Sequence, residues 1–390
     1  MPSAPWPRTH RWPSWPSPTG ANWAGVLLGV YSFVQAVAAL TVGRAMDRWG
    51  RRPGLALGYV FLAAGGSLFA LSMVASSPTG VLVAAALFGA GTGTGQLGRG
   101  AVAEMYPVSA RGRAVGRLLL MGTVGAVGVP PLVAGLSAWG RFDPLVLAWV
   151  ATTVLGAASL VCVLALRPDP RDLAVRSPQD REAVRRPLGE LLHVAPFRAA
   201  VAAIALSQTA MVGIMGVAAV VIHEHGGGST MSSSIISLHL LAMFGFAPLI
   251  GAFLDRRGRR PGLLLGTSTA LAGALLAGLV EGTAPFSAGL FLVGLGWSSA
   301  YLAATAVVSD ITTTSERAGV LGFMDLLVAT ASGVGAFAGG FLLDAGGVSA
   351  LGLVMAAAIV PTLVLVWAVR EESPGQWPQA LSASRREATV

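Results

Sequence analysis

Two short segments of this chain carry the same basic pattern, and together they place an acid and several arginines at matching positions. The segment GRAMDRWGRRPGLALG at 43–58 aligns without gaps with GAFLDRRGRRPGLLLG at 251–266, with eleven of sixteen positions identical. An aspartate at the end of one helix can accept hydrogen bonds from the positive N-terminus of a neighbouring helix, and arginines bind carboxylates at other helix ends. These residue types favour reversible ion pairing, and the glycines permit close helix approach and tight turns.

A second pair of matching positions supplies acids for those arginines. Val102-Ala103-Glu104 and Gly116 match Val308-Ser309-Asp310 and Gly322 at an offset of 206. We therefore predict one cluster of ion pairs in each half of the chain, which closes one conformation and breaks in the other. The predicted gate residues are Asp47, Arg48, Arg51, Arg52, Glu104, Asp255, Arg256, Arg259, Arg260 and Asp310. The alternative is that the two loops only turn tightly and set the topology.

Asp325 and His239 are ionisable residues inside apolar segments, where a charge is costly and a functional role is the first hypothesis. Either side chain could carry a coupled proton. Histidine changes charge near neutral pH, whereas an aspartate does so only where its surroundings disfavour the charged form. The alternatives are a neutral, hydrogen-bonded His239 between helices, and an Asp325 that is the fixed partner of an arginine or of a helix N-terminus.

The composition of the chain indicates the elements that must hold these residues. Of 390 residues, 54% are hydrophobic and 11% are charged, which is too little charge to cover a soluble protein of this size. Apolar runs long enough to cross a bilayer as helices recur, without the period-2 alternation of a barrel strand. We therefore predict an all-α polytopic membrane protein. Its eleven apolar segments lie near 24–42, 54–75, 79–103, 114–139, 144–166, 196–222, 232–254, 261–281, 285–309, 318–343 and 347–369.

Arginine alone supplies the positive charge behind the net value of +8, since the sequence contains no lysine. Arginines cluster in alternate loops, which are those after the first, third and seventh apolar segments and the segment 167–198. Short loops rich in positive residues are retained in the cytoplasm, so these loops and the tail after Arg370 are predicted to be cytoplasmic and the N-terminus to be outside. Most of this arginine excess is explained by topology.

The polar segment near the middle of the chain divides five apolar segments from six. We predict an irregular N-terminal segment over 1–21, a helical bundle over 22–167, a cytoplasmic linker over 168–195, a second helical bundle over 196–370 and a disordered cytoplasmic tail over 371–390. Because the two basic segments are in parallel register, the bundles are predicted to be repeats with a central cavity between them.

The duplicated basic segment resembles the hallmark loop of the major facilitator superfamily, G-x-x-x-D-R-x-G-R-R, which occurs between helices two and three and again between helices eight and nine. The resemblance covers roughly residues 24–370. It implies two pseudo-symmetric helical bundles that work by alternating access. The helices that line the pathway in this family supply the candidate cavity residues Tyr31, Gln35, Thr94, Gln96, Gln208, Trp297 and Tyr301.

Three features depart from the family pattern. They concern the number of helices, which is twelve in the family, and residues in helices four and five. The first apolar segment corresponds to helix two, so helix one is expected to be missing, through a misplaced start or truncation, a degenerate copy, or a variant that works without it. Arg99 lies near the cytoplasmic end of helix four, and its expected partner is Glu104 or the carbonyls of the helix end. Val129 interrupts the Gly-Pro pair that proton-driven exporters carry in helix five.

From these observations we expect a secondary transporter of a small organic solute in the cell membrane, proton-coupled and active in drug or metabolite efflux. The alternatives are a nutrient importer of the same fold and a truncated, non-transporting relic or sensor. The sequence has no nucleotide-binding G-x-x-x-x-G-K-[ST] loop and no nucleophile–base constellation, so an enzyme is disfavoured. We expect a monomer in the lipid bilayer that binds its solute and a coupling proton, with no cofactor, metal or nucleic acid.

Overall fold

The computed structural model describes residues 21–137, 143–175, 186–226, 229–313, 315–373 and 376–377. Across these ranges the secondary structure is helical, apart from an isolated bridge between Ser373 and Gln376. The prediction of an all-α protein is confirmed.

Within its described residues, the first half of the chain contains six α-helices, of which α3 and α4 follow one another almost directly. They are α1 (Ala21–Trp49), α2 (Arg51–Val74), α3 (Pro78–Gln96), α4 (Gly98–Glu104), α5 (Arg111–Ser137) and α6 (Pro144–Ala165), with a 3₁₀ turn at Val108–Ala110 before α5.

A one-turn helix in the predicted linker, α7 (Leu188–Leu191), leads into the second half. The helices there are α8 (Ala195–Gly216), α9 (Ala218–Glu224), α10 (Ser229–Leu240), α11 (Ala247–Arg257), α12 (Arg259–Leu279), α13 (Thr283–Ile311) and α14 (Arg317–Ala368). A π-helical turn at Leu241–Gly245 joins α10 to α11. The last helix bends at Gly346 and Gly347, where the backbone leaves the helical region.

Each of the eleven predicted apolar segments coincides with a helical stretch as far as the chain is described. Eight of the described stretches are long and apolar enough to cross a membrane, and one of them, α14, contains the last two predicted segments. Three segments expected to be continuous are interrupted, by Leu97, by Val217 and by the π-helical turn. Hydropathy does not reveal these breaks because the residues on both sides of each are apolar.

Small residues bring the helices within each half close together. A Cβ atom added to Gly91 on α3 would lie 2.6 Å from the backbone nitrogen of Leu62 on α2. In the second half, a Cβ atom on Gly266 of α12 would lie 2.5 Å from the backbone nitrogen of Ala300 on α13. Packing of this kind, through residues without bulk at the contact, is the usual way in which membrane helices associate.

The two halves meet along two helix pairs, α1 with α14 and α5 with α11. The closest approaches again involve glycine, since a Cβ atom on Gly43 would lie 2.6 Å from the carbonyl oxygen of Ala318, and one on Gly112 would lie 2.5 Å from that of Gly251. These contacts lie at the end of the bundle that carries the arginine-rich loops, which we call the arginine-rich face.

Several sequence predictions fall outside the described residues. The expected absence of helix one and the irregular N-terminal segment concern residues 1–20, and the central part of the linker concerns residues 176–185. Of the tail expected to be disordered over 371–390, the structure describes 371–373 and 376–377, where Glu371 accepts a hydrogen bond from Arg260 and Trp377 is buried, and the rest lies outside the described residues.

Candidate functional site

In the first half, one arginine joins the two acids predicted to form a gate. The guanidinium of Arg51 donates two hydrogen bonds to Glu104, at 3.0 and 2.7 Å, and lies 3.2 Å from Asp47. All three side chains are almost completely buried. Arg51 is held there because it begins α2 directly after Gly50, whose φ of 106° is one that glycine adopts readily.

The second half repeats this arrangement. Arg259 donates to Asp310 at 2.8 Å and lies 3.8 Å from Asp255. It begins α12 after Gly258, whose φ is 100°. The structure therefore brings the predicted central residues together in both halves.

The two aspartates of the repeated loops bind helix N-termini across the boundary between the halves. Asp47 accepts hydrogen bonds from the backbone N–H groups of Ala318 and Gly319, at 3.1 and 2.9 Å, at the start of α14. Asp255 accepts from those of Gly112 and Arg113, both at 2.9 Å, at the start of α5. The first N–H groups of a helix have no partner within it and carry partial positive charge, so a carboxylate there is favourably placed.

Two further arginines, absent from the predicted gate, strengthen the same boundary. Arg111 lies 2.8 Å from Asp310 in the opposite half, and Arg317 lies 3.7 Å from Glu104. The repeat could have revealed them, because the offset of 206 that aligns Glu104 with Asp310 also aligns Arg111 with Arg317.

Four of the predicted gate arginines do not join these clusters. Arg48 and Arg256 are exposed and make no ion pair within the described ranges. The backbone N–H groups of Arg52 and Arg260 instead donate to the carboxylates of Asp169, at 2.8 Å, and Glu371, at 2.7 Å. Those acids follow the last helix of each half, so this pair of arginines helps to join helices within one half.

A cavity of about 460 Å³ lies between the halves, a size typical of sites for small molecules. Six of the seven predicted cavity residues line it, and they are Tyr31, Gln35, Gln96, Gln208, Trp297 and Tyr301. Thr94 does not. It is fully buried, donates to the carbonyl of Ala90 at 2.9 Å and packs against Gly58 of α2. Gln96, which lines the cavity, is two residues further along the helix, a rotation of about 200°, so Thr94 faces away from the cavity.

Asp325 also lines the cavity and forms a buried ion pair with Arg99 of the first half. The guanidinium of Arg99 donates to both carboxylate oxygens, at 2.6 and 3.2 Å, and to the hydroxyl of Thr305 at 3.2 Å. Its central carbon lies 4.7 Å from the centre of the Tyr301 ring. The expectation that Arg99 pairs with Glu104 is therefore wrong in the described structure, because Arg51 already occupies that acid; the expected helix-end contact is present as a 3.0 Å bond to the Gln96 carbonyl.

His239 lies away from the cavity, buried between α10 and α13. Its Nδ1 is 2.7 Å from the carbonyl oxygen of Leu290, and its Nε2 is buried without a hydrogen-bond partner in the described part of the chain. Gly294 packs against the ring, since an added Cβ atom would lie 2.7 Å from Nδ1. Of the two predicted proton carriers, the structure places Asp325 at the cavity and His239 outside it.

Aromatic rings form the wall of the cavity that belongs to the second half. Trp297 stacks on Tyr301 with ring centres 4.9 Å apart, and Phe244 meets Trp297 edge-on at 6.1 Å. The indole N–H of Trp297 donates to the side-chain oxygen of Gln208, whose amide nitrogen donates to Ser332 at 2.8 Å. The polar groups of this wall are thus already bonded to one another.

Comparison with known proteins agrees with this architecture. A model described as "Major Facilitator Superfamily" matches residues 15–226 and 200–389. An uncharacterized MFS-type transporter of Bacillus subtilis (strain 168), YddS, is 28% identical over 370 residues, which are 90% of this chain and 83% of the relative. The riboflavin transporter RfnT of Brucella anthropi is 27% identical over 326 residues, which are 82% of this chain and 80% of the relative.

Among solved structures, the fucose:proton symporter FucP of E. coli superimposes with a TM-score of 0.71. The alignment covers 89% of this chain and 90% of that protein at 14% sequence identity. A likeness at this identity shows a shared fold of two helical bundles.

Proposed function

Because the chain belongs to the major facilitator superfamily, we propose that it moves a small organic solute by alternating access, with a proton carried by Asp325. The family membership makes it a transporter and a multi-pass protein of the plasma membrane. The observation that carries the finer proposal is the buried ion pair between Arg99 and Asp325, which links the two halves at the solute cavity.

This ion pair has the properties that proton coupling requires. Asp325 is reached from the cavity, yet it is 3% exposed, so its charge depends on Arg99. Protonation of the carboxylate removes the attraction between the two side chains and leaves Arg99 with neutral partners, which favours separation of the halves. A solute that enters the cavity meets Asp325, so solute binding and protonation are linked at one place.

The ion-pair clusters at the arginine-rich face form the second part of the proposed mechanism. In the described conformation, Asp47 and Asp255 hold the start of a helix in the opposite half, and Arg111 and Arg317 lie beside acids across the same boundary. We propose that this face is cytoplasmic and that these contacts close the pathway there while the cavity communicates with the outside. All of them must break for the cavity to open inward.

Reconstitution into vesicles that contain a pH-sensitive dye tests this proposal. Riboflavin, ethidium and fucose are added in turn, with a proton gradient imposed in either direction. We expect one solute to move protons, and the sign of the pH change gives the direction of coupling. In Asp325→Asn the proton movement is lost, whereas exchange of labelled for unlabelled solute continues.

Asp344→Asn is the matched control, because Asp344 lies on the same helix as Asp325 but is exposed. Movement of none of the solutes under any gradient would contradict transport by this chain. Proton movement in Asp325→Asn equal to that of the unaltered protein would contradict only the role of Asp325.

A further inference from the structure

We propose that the cavity binds an uncharged, planar heteroaromatic compound with a lactam or imide edge. The proposal rests on the transport function above and names the class of its solute. Three properties of the cavity support this ligand class. They are the aromatic wall of the second half, the two amide side chains of the first half that have no hydrogen-bond partner within the described residues, and the balance of charge.

The aromatic wall contains two rings, Trp297 and Tyr301, that both line the cavity. Arg99 lies over Tyr301, and Tyr301 stacks on Trp297 with an interplanar angle of 23°. The indole ring is also held by its hydrogen bond to Gln208 and lies near the almost perpendicular ring of Phe244. A flat ring bound in the cavity can pack against these rings, because aromatic pairs are favourable at centre separations of about 4.5–7 Å.

The side of the cavity formed by the first half offers two amide side chains in addition to the ring of Tyr31. The side chains of Gln35 on α1 and Gln96 on α3 line the cavity, and neither has a hydrogen-bond partner within the described residues. Each primary amide presents an N–H donor and a C=O acceptor in one plane. A lactam or imide presents the complementary pair, whereas a hydrocarbon leaves both amides unsatisfied.

The charge balance argues for a neutral compound. Among the described residues that line the cavity, Asp325 carries the only charge, and it is paired with Arg99. An anion would be repelled by this carboxylate, because Arg99 does not line the cavity, and a cation would compete with Arg99 for the acid. That competition breaks a buried pair, which is strongly unfavourable.

A binding measurement on the purified full-length chain in detergent tests this inference. The probes are lumichrome, which is uncharged, planar and carries N–H groups beside its ring carbonyls, its 1,3-dimethyl derivative, which lacks both N–H groups, and ethidium, which is planar but charged. Quenching of probe fluorescence gives the dissociation constants. We expect lumichrome to bind about tenfold more tightly than either other probe, since each loses a hydrogen bond or disturbs the ion pair.

Single substitutions test the contributions of the aromatic wall and of the two amide side chains separately. Trp297→Ala should weaken lumichrome binding about tenfold and Trp297→Phe less than threefold, because the second retains a stacking ring. Gln35→Ala and Gln96→Ala should reduce the preference for lumichrome over its 1,3-dimethyl derivative. Phe341→Ala is the control, since Phe341 is 64% exposed and does not line the cavity. If Trp297→Ala does not fold, the two glutamine variants carry the test.

Tighter binding of ethidium, binding of no probe, or unchanged selectivity in both glutamine variants would overturn the ligand class. The outcome is separable from the test of transport. If fucose or ethidium moves protons in an Asp325-dependent manner while lumichrome does not bind, the ligand class is wrong and the transport proposal stands. If lumichrome binds with the expected selectivity but no solute moves, the ligand class stands and the transport proposal is wrong.

Discussion

Arg111 and Arg317 occupy equivalent positions in the two halves, and each lies beside the acid at a helix end of the other half. Arg111 is 2.8 Å from Asp310, and Arg317 is 3.7 Å from Glu104. Each arginine also begins a helix whose next N–H groups are bound by the aspartate of a repeated loop. One helix start in each half therefore offers a side-chain charge and backbone donors to the opposite half at the same time.

Removal of one of these aspartate charges should open the arginine-rich face. Asp47→Asn or Asp255→Asn weakens two hydrogen bonds to a charged acceptor, at a cost of about 2 kcal/mol, which changes the ratio of closed to open forms about thirtyfold. Spin labels at Arg48→Cys and Arg256→Cys in a Cys162→Ser background report the distance across this face, because both arginines are exposed and outside the ion pairs. We expect a population at longer distance in each variant and none in Asp344→Asn. An unaltered distance distribution in both variants would contradict the proposed seal.

A methyl group added where α1 crosses α14 should also open the arginine-rich face, because it forces the two helices apart. Gly43→Ala places a Cβ atom 2.6 Å from the carbonyl oxygen of Ala318, which is closer than such atoms approach, so α1 and α14 must separate. Gly29→Ala on the same helix is the control, since nothing lies within 4 Å of its Cβ position. The spin-label pair Arg48→Cys and Arg256→Cys in the Cys162→Ser background measures the separation of the halves at this face. Equal distance distributions in Gly43→Ala and Gly29→Ala would show that the close approach does not limit opening.

Loss of one member of the ion pair between Arg99 and Asp325 should destabilise the protein more than loss of both. Arg99→Leu leaves Asp325 buried without its partner, at a cost of about 3–5 kcal/mol, and Asp325→Leu leaves the arginine in the same position. In the double variant both charges are gone, so we expect its apparent melting temperature in detergent to lie above those of both single variants. The prediction fails if the double variant melts below either of them.

His239 should be dispensable for proton coupling. It lies outside the cavity, and His239→Leu removes one bond to the Leu290 carbonyl, at a cost of about 1 kcal/mol. We expect a small fall in melting temperature and an unchanged ratio of protons to solute moved in vesicles. A folded His239→Leu protein that moves solute without protons would place the proton carrier here and not at Asp325.

The helices could be predicted from the sequence because length and apolarity alone define a membrane span. The separation of the last two segments was also visible, since Gly346 and Gly347 interrupt α14. The π-helical turn at Leu241–Gly245 was not, because it lies inside a run that is apolar throughout and depends on how α10 and α11 pack against other helices.

The ion pairs could be predicted where the internal repeat identified both partners. They could not be predicted where the partners lie far apart along the chain. Matching positions identified Glu104 and Asp310 as acids for Arg51 and Arg259, and the structure brings these residues together. Arg99 was assigned to Glu104 or to the carbonyls of the helix end; it does bind one such carbonyl, but its acid is Asp325, 226 positions away. A single sequence does not show which of several buried arginines pairs with a given acid, because the pairing depends on how the two halves pack.

The contacts at the arginine-rich face have the form of an interface between two identical subunits. The start of α5 binds α11, and the equivalent start of α14 binds the equivalent helix α1, so one surface patch is used twice about an approximate two-fold axis. Such an isologous interface is complete when a surface meets a copy of itself. One half of this chain paired with a copy of itself would therefore possess both sets of contacts, whereas the side chains that line the cavity differ between the halves.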